Sequence, residues 1–132
     1  MPFEVSTFQL PSGARCGRVV WGGVATKEEE SDMAGQAAPG GQLHGVPVLV
    51  LTQGMKRLEP ETRAALSRRT EANSRQWVAI VVSSPVVRVA ATFIMRTSKN
   101  PRQRLFSTEE EAIRWLDERI REEARLEKPG AP

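Results

Sequence analysis

Glu109, Glu110 and Glu111 follow directly on Ser107 and Thr108, a run of three carboxylates dense enough to raise the question of metal binding or acid–base chemistry. The spacing argues against both. Successive residues of a helix project about 100° apart, so three neighbouring carboxylates cannot converge on one ion. Ser107 or Thr108 instead stands where a helix N-cap belongs, with Glu110 or Glu111 three residues on to complete a capping box. Acids in the first turn also meet the positive end of the helix dipole, a gain of ~0.3–1 kcal/mol each.

Other catalytic combinations are missing. His44 is the only histidine, which all but excludes a histidine-based metal site. As a lone general base in a Gly-rich loop it has no nucleophile that can be named beside it. Cys16 is the only cysteine, so no internal disulfide can form, and without an evident base it reads as a small buried apolar side chain. The segment "GQAAPGGQ" lacks the Gly-Lys-Ser/Thr ending of a phosphate loop, and there is no G-x-S-x-G. The expectation is a protein that is not an enzyme and takes no cofactor or metal.

Basic residues gather in two places. Arg63, Arg68, Arg69 and Arg75 are diluted by Glu59, Glu61 and Glu71; Arg96, Lys99, Arg102 and Arg104 surround one loop. No exposed aromatic platform accompanies the second group. With a net charge of +3 over 132 residues the chain is only mildly basic, short of the field of a dedicated nucleic-acid binder. The length fits one domain with its own core, and 39% hydrophobic with 27% charged residues is an ordinary globular balance. "MPFEVSTFQL" has no basic region followed by an apolar run, so no signal peptide is expected. Trp77 to Met95 approaches the length of a membrane span, but Ser83-Ser84-Pro85 and Arg88 interrupt it. A cytoplasmic protein without a membrane span is expected.

The elements that would position these residues can be read along the chain. Phe3 to Leu10 and Arg15 to Trp21 read as a hairpin around Pro11-Ser12-Gly13, with Gly22 and Gly23 ending the second strand. Thr26 and Glu29 can cap a short surface helix. A flexible Gly/Pro-rich loop follows at about 35–47, long for a compact domain. Val48 to Thr52 and Trp77 to Val82 are continuous apolar runs, the pattern of strands covered on both faces. A charged helix over Glu59 to Asn73 lies between them. Ser84 caps and Pro85 opens a helix to about Arg96, apolar round most of its surface and so expected to be well buried. Arg104 to Phe106 forms a short edge strand. The last helix runs from about Thr108 to Leu126, with Ala112, Ile113, Trp115, Leu116 and Ile120 toward the core, and residues 128–132 form a disordered tail.

Three stretches, "VPVLVLTQGMKRLEPETRAAL", "RQWVAIVVSSPVVRVAATFIMR" and "RLFSTEEEAIRWLDE", resemble the STAS domain, named for sulfate transporters and anti-sigma-factor antagonists, and most of all its divergent bacterial SpoIIAA-like branch. They span about the last 80 residues; before them only the element order agrees. The resemblance implies a single α/β STAS-like domain over 1–127, a mixed β-sheet with about four helices packed on it. It also implies regulation through protein–protein contact, as in signal transduction, rather than catalysis. In phosphorylated members a Ser or Thr opens the helix after the central strand. Here that place reads Leu58-Glu59-Pro60-Glu61-Thr62, without the usual serines and glycine. Glu59 or Glu61 stands where a permanent negative charge would replace a phosphate, or simply forms an acidic first turn with proline in its usual position.

The reading is a cytoplasmic regulator or adaptor whose partner is another protein, a second copy of the chain included. Its binding surface is expected at Met55, Arg57, Glu59, Thr62 and Arg63, in the loop and first turn after the central strand. Two alternatives stand beside it. One is a carrier of a small apolar or lipid-like ligand, with a pocket lined by Val86, Ala90, Phe93 and Ile94. The other is a weak nucleic-acid binder using Arg96 to Arg104.

Overall fold

The structure, a computed structural model, describes residues 3–25, 35, 40–43, 45–58, 76–82, 84–98 and 102–127, with backbone alone at 3, 22–25, 53–58, 94, 97–98 and 127. Five strands form one sheet in the order β1-β2-β3-β4-β5: β1 (Phe3–Gln9), β2 (Arg15–Ala25), β3 (Val48–Leu58), β4 (Val78–Val81) and β5 (Gln103–Phe106). β1 and β2 pair antiparallel; all later neighbours are parallel. Two helices are described, α1 (Pro85–Ser98) and α2 (Glu109–Glu127). The helices expected near Thr26 and over 59–73 lie outside the described residues, as does the tail.

The hairpin closes as its sequence directs. Leu10 donates its N–H to Ala14 O at 2.8 Å and Gly13 donates to Leu10 O at 2.7 Å, with Gly13 at φ 92. Pro11 fixes the first turn position, and the positive φ that closes a three-residue loop falls on the residue without a Cβ.

Side chains alternate across the sheet and bury on both faces, which accounts for the unbroken apolar runs of β3 and β4. On one face Val19, Trp21, Val48 and Val82 meet Val87 and Ala91 of α1, joined by Leu43. On the other, Cys16, Leu49, Leu51 and Ala79 meet Ala112 and Leu116 of α2. The sheet is therefore sandwiched between the two helices. Leu43 sits so close over Gly17 that a Cβ there would come within 2.4 Å of Leu43 Cδ2. Gln76 holds this segment in place, its Nε2 donating to the carbonyls of Leu43 and Val46, each at 2.6 Å.

Two strands run further than the sequence suggested. Gly22 and Gly23 do not end β2, and β3 does not stop at Thr52. The pair continues past the ends of β1 and β4 as a two-stranded parallel ribbon to Ala25 and Leu58, with register shifts between Val20/Gly22 and Gly23/Val24. Glycine tolerates such irregular pairing without terminating it, so the glycines mark bulges rather than a strand end.

The last helix starts as read. Thr108 is the cap: its Oγ1 accepts the Glu111 N–H at 3.2 Å and donates to Glu111 Oε1 at 2.9 Å. Ala112 and Leu116 are fully buried, with Ile113, Trp115 and Ile120 packed beside them.

Candidate functional site

The expected partner surface falls only partly within the described residues. Met55 and Arg57 lie in β3, on the projecting ribbon, rather than in a loop after it; the strand continues because β2 continues beside it, Met55 opposite Gly23 and Arg57 opposite Val24. Glu59, Thr62 and Arg63 lie outside the described residues. The ribbon leaves the sheet at the carboxyl ends of its parallel strands, the end where open α/β sheets build their sites.

The outer side of α1 is a second feature of the surface. Val87, Ala90 and Ala91 turn to the sheet, while Val86, Val89 and Phe93 are 63%, 71% and 51% exposed. Spacings of three and four residues put these three side chains on one stripe. The expectation that this helix is well buried is thus corrected: a helix resting on one layer hides one face, whatever the composition of the other. For the same reason the expected pocket set divides. Ala90 faces inward, Val86 and Phe93 face solvent, and Ile94 has no described side chain. At the head of α1, Arg88 Nη2 donates to Val82 O and to Ser107 Oγ, each at 3.3 Å, joining the helix to the segment that caps α2.

Within the basic group at 96–104, Arg102 is engaged with its own protein. Arg102 Nη1 meets Glu123 Oε2 at 3.1 Å, and its guanidinium lies 4.7 Å from the centre of the Trp77 ring. Trp77 Nε1 donates to the same Glu123 oxygen. Trp77 packs edge-on against Trp115, which also contacts Phe106. The Arg104 guanidinium lies 5.4 Å from the Phe106 ring centre. Lys99 lies outside the described residues, and Arg96 is exposed.

Titratable groups elsewhere do structural work. Burial pushes the Cys16 thiol up to about 12, so it stays protonated and inert; its Sγ donates to Gly17 O at 3.3 Å. Asp117, 7% exposed, was missed in the sequence reading. Its Oδ1 accepts the Ser12 N–H at 2.9 Å and its Oδ2 the Arg121 Nε–H at 2.8 Å, tying α2 to the hairpin turn. Burial alone would raise its pKa, but the bonds from Ser12 and Arg121 outweigh burial and hold it below the usual carboxylate range. A charged residue beside Leu116 at the rim of the core stripe was the available signal. Of the three glutamates, Glu109 reaches Arg18 at 3.6 Å and Glu111 bonds the cap, so they point in different directions. Among the described residues no group of three His, Cys, Asp or Glu side chains could hold a metal ion, and no helix is long and apolar enough to cross a membrane. His44 lies outside the described residues.

Comparison with known proteins settles the family. Residues 42–120, more than half the chain, match the family described as Domain of unknown function (DUF7793). The chain belongs to that family. Among curated proteins none matches. Among solved structures, this DUF7793 chain resembles an uncharacterized protein of the DUF3478 family with a SpoIIAA-like fold from Shewanella loihica PV-4. The TM-score is 0.66 at 14% identity, covering 86% of this chain and 93% of that one. The fold is SpoIIAA-like, as the sequence resemblance implied; at such low identity the likeness speaks for fold alone.

Proposed function

We propose that this DUF7793 chain is a non-catalytic regulatory or adaptor domain that acts by binding another protein, and that it works in the cytoplasm. The observation that carries this reading is the stripe of Val86, Val89 and Phe93. Three large apolar side chains on one stripe, each more than half exposed, are a cost that binding removes, and such a patch is the kind that marks interaction sites. The partner surface in this reading joins the stripe to the ribbon and the following segment, Met55, Arg57, Glu59, Thr62 and Arg63. By residue type it brings apolar side chains together with charges of both signs, the kinds of residue an interface uses.

The test is recovery of partners from the native cell with wild-type protein, with Val89→Asp, and with Glu59→Arg plus Arg63→Glu together. Val89→Asp acts on an exposed position and should leave stability within ~0.5 kcal/mol of wild type. Loss of the same partner in both variants, with folding intact, is the expected result. A partner retained at equal yield by Val89→Asp rejects the stripe, and one retained by the charge reversal rejects the 55–63 surface.

A further inference from the structure

β5 ends the sheet, so one side of its backbone has no strand beside it among the described residues. The backbone ladder shows which groups face outward. Val78 N donates to Arg102 O and Val82 N to Phe106 O, each at 2.9 Å. In a parallel ladder alternate residues serve one neighbour, so Arg102, Arg104 and Phe106 bond β4, and the N–H and C=O of Gln103 and Leu105 point to the open side. Their side chains divide by face: Leu105 packs on the α1 face, and Phe106, with Arg104 two residues before it, lies on the α2 face.

Two side chains flank this edge with unused capacity. Arg104 is exposed, lies over Phe106 and makes no ion pair among the described residues. Gln103 is 9% exposed, and its Oε1 is buried with no hydrogen-bond donor among the described residues.

Charge decides what can pair here. Two copies joined antiparallel through β5, in the register that uses both Gln103 and Leu105 on each side, place Arg104 directly opposite Arg104. Like charges directly opposite destabilise a strand pair, so the edge is guarded against its own copy. An acidic residue in the same place would be favoured.

We propose that the open edge of β5 takes up an extended acidic segment of a partner protein as a sixth, antiparallel strand. The acid faces Arg104, and an apolar residue before it lies beside Leu105. This is strand addition, in which backbone bonds give affinity and alternate side chains give specificity. It rests on the reading of the chain as a protein-binding domain but uses a surface separate from the α1 stripe.

The experiment uses the full chain, isotope-labelled, with an acetylated peptide Thr-Val-Glu-Thr-Val and its Glu→Lys counterpart, followed by amide hydrogen exchange and chemical shifts. The expected result is protection of the Gln103 and Leu105 amides rising by about tenfold or more with the Glu peptide and unchanged with the Lys peptide. Arg104→Glu should reverse that preference while leaving the Val78 and Val82 amides protected as before. No binding at millimolar peptide, binding that leaves the two amides exchanging freely, or an unaltered preference in Arg104→Glu would each overturn the proposal. A partner that depends on Val89 while the peptide fails at β5 would reject this edge and leave the proposed function standing.

Discussion

Asp117→Asn removes one negative charge while keeping an acceptor for the Ser12 N–H. The hydrogen bond from Ser12 at 2.9 Å is charge-assisted in the wild type and becomes neutral in the variant. Hydrogen bonds to charged groups contribute ~1.5–3 kcal/mol and neutral ones ~0.5–1.5 kcal/mol, so the exchange costs about 1–1.5 kcal/mol. The Arg121 pair, with Arg121 well exposed, adds only ~0.3–0.5 kcal/mol. The expected loss near neutral pH is therefore about 1.3–2 kcal/mol, read by urea denaturation with an unchanged slope. The pH dependence carries the sign. Asp117 has a folded pKa below its unfolded value of about 3.9, so between the two the unfolded chain binds more protons and stability rises with pH. The contribution is complete above the unfolded pKa and is lost as pH falls through the folded one. The difference between wild type and Asp117→Asn should accordingly be constant from pH 7 to about 5 and shrink below about pH 4. A gap that stays the same width down to pH 2, or widens, would refute the account of Asp117 as an ionised anchor.

Three further outcomes follow from the same geometry. Leu116→Ala, at a fully buried position, should destabilise by ~2–5 kcal/mol in the same denaturation assay. Thr108→Ala should cost ~0.5–2 kcal/mol through loss of the cap, whereas Glu110→Gln should cost under ~1 kcal/mol and leave partner binding unchanged. Cys16 should resist a thiol reagent at pH 8 in the folded protein and react fully in denaturant, since both its burial and its raised pKa must be undone first.

The legible parts of the chain were those where local and tertiary signals agree. In α2 the cap, the acidic first turn and the apolar spacing from Ala112 to Ile120 all point the same way, and the helix stands where they place it. The edge position of β5 and the turn at Gly13 were readable for the same reason. Where one signal had to stand for two facts, the sequence misled. Glycine at 22 and 23 indicates backbone freedom, and a bulged strand uses that freedom as well as a turn does. Apolar composition around α1 indicates that water is disfavoured on every side, but not what excludes it. The Met55–Arg63 surface was placed by its position after the central strand, by Met55 beside charges of both signs and by resemblance, and the strand through Met55 and Arg57 alters its local geometry without deciding its role.

The two helices differ in a way that bears on function. α2 covers its core stripe with charge: twelve of its nineteen residues are Asp, Glu or Arg, and pairs such as Arg121 with Asp117 and Arg125 with Glu122 lie along its length. Such a helix is finished toward solvent along most of its length, with Leu126 exposed near its end. α1 has only Arg88 and Arg96 among fourteen residues, and Arg88 is turned to Val82 and Ser107. A helix that merely closed one layer of a sandwich would gain from Lys or Glu at positions 86, 89 and 93, since charge there costs no core packing and lowers unwanted association. Val, Val and Phe at those positions forgo that gain. The physical use of such side chains is to be buried against something else, so under the proposed function α1, rather than α2, is the helix whose outer face is to be tested for partner contact.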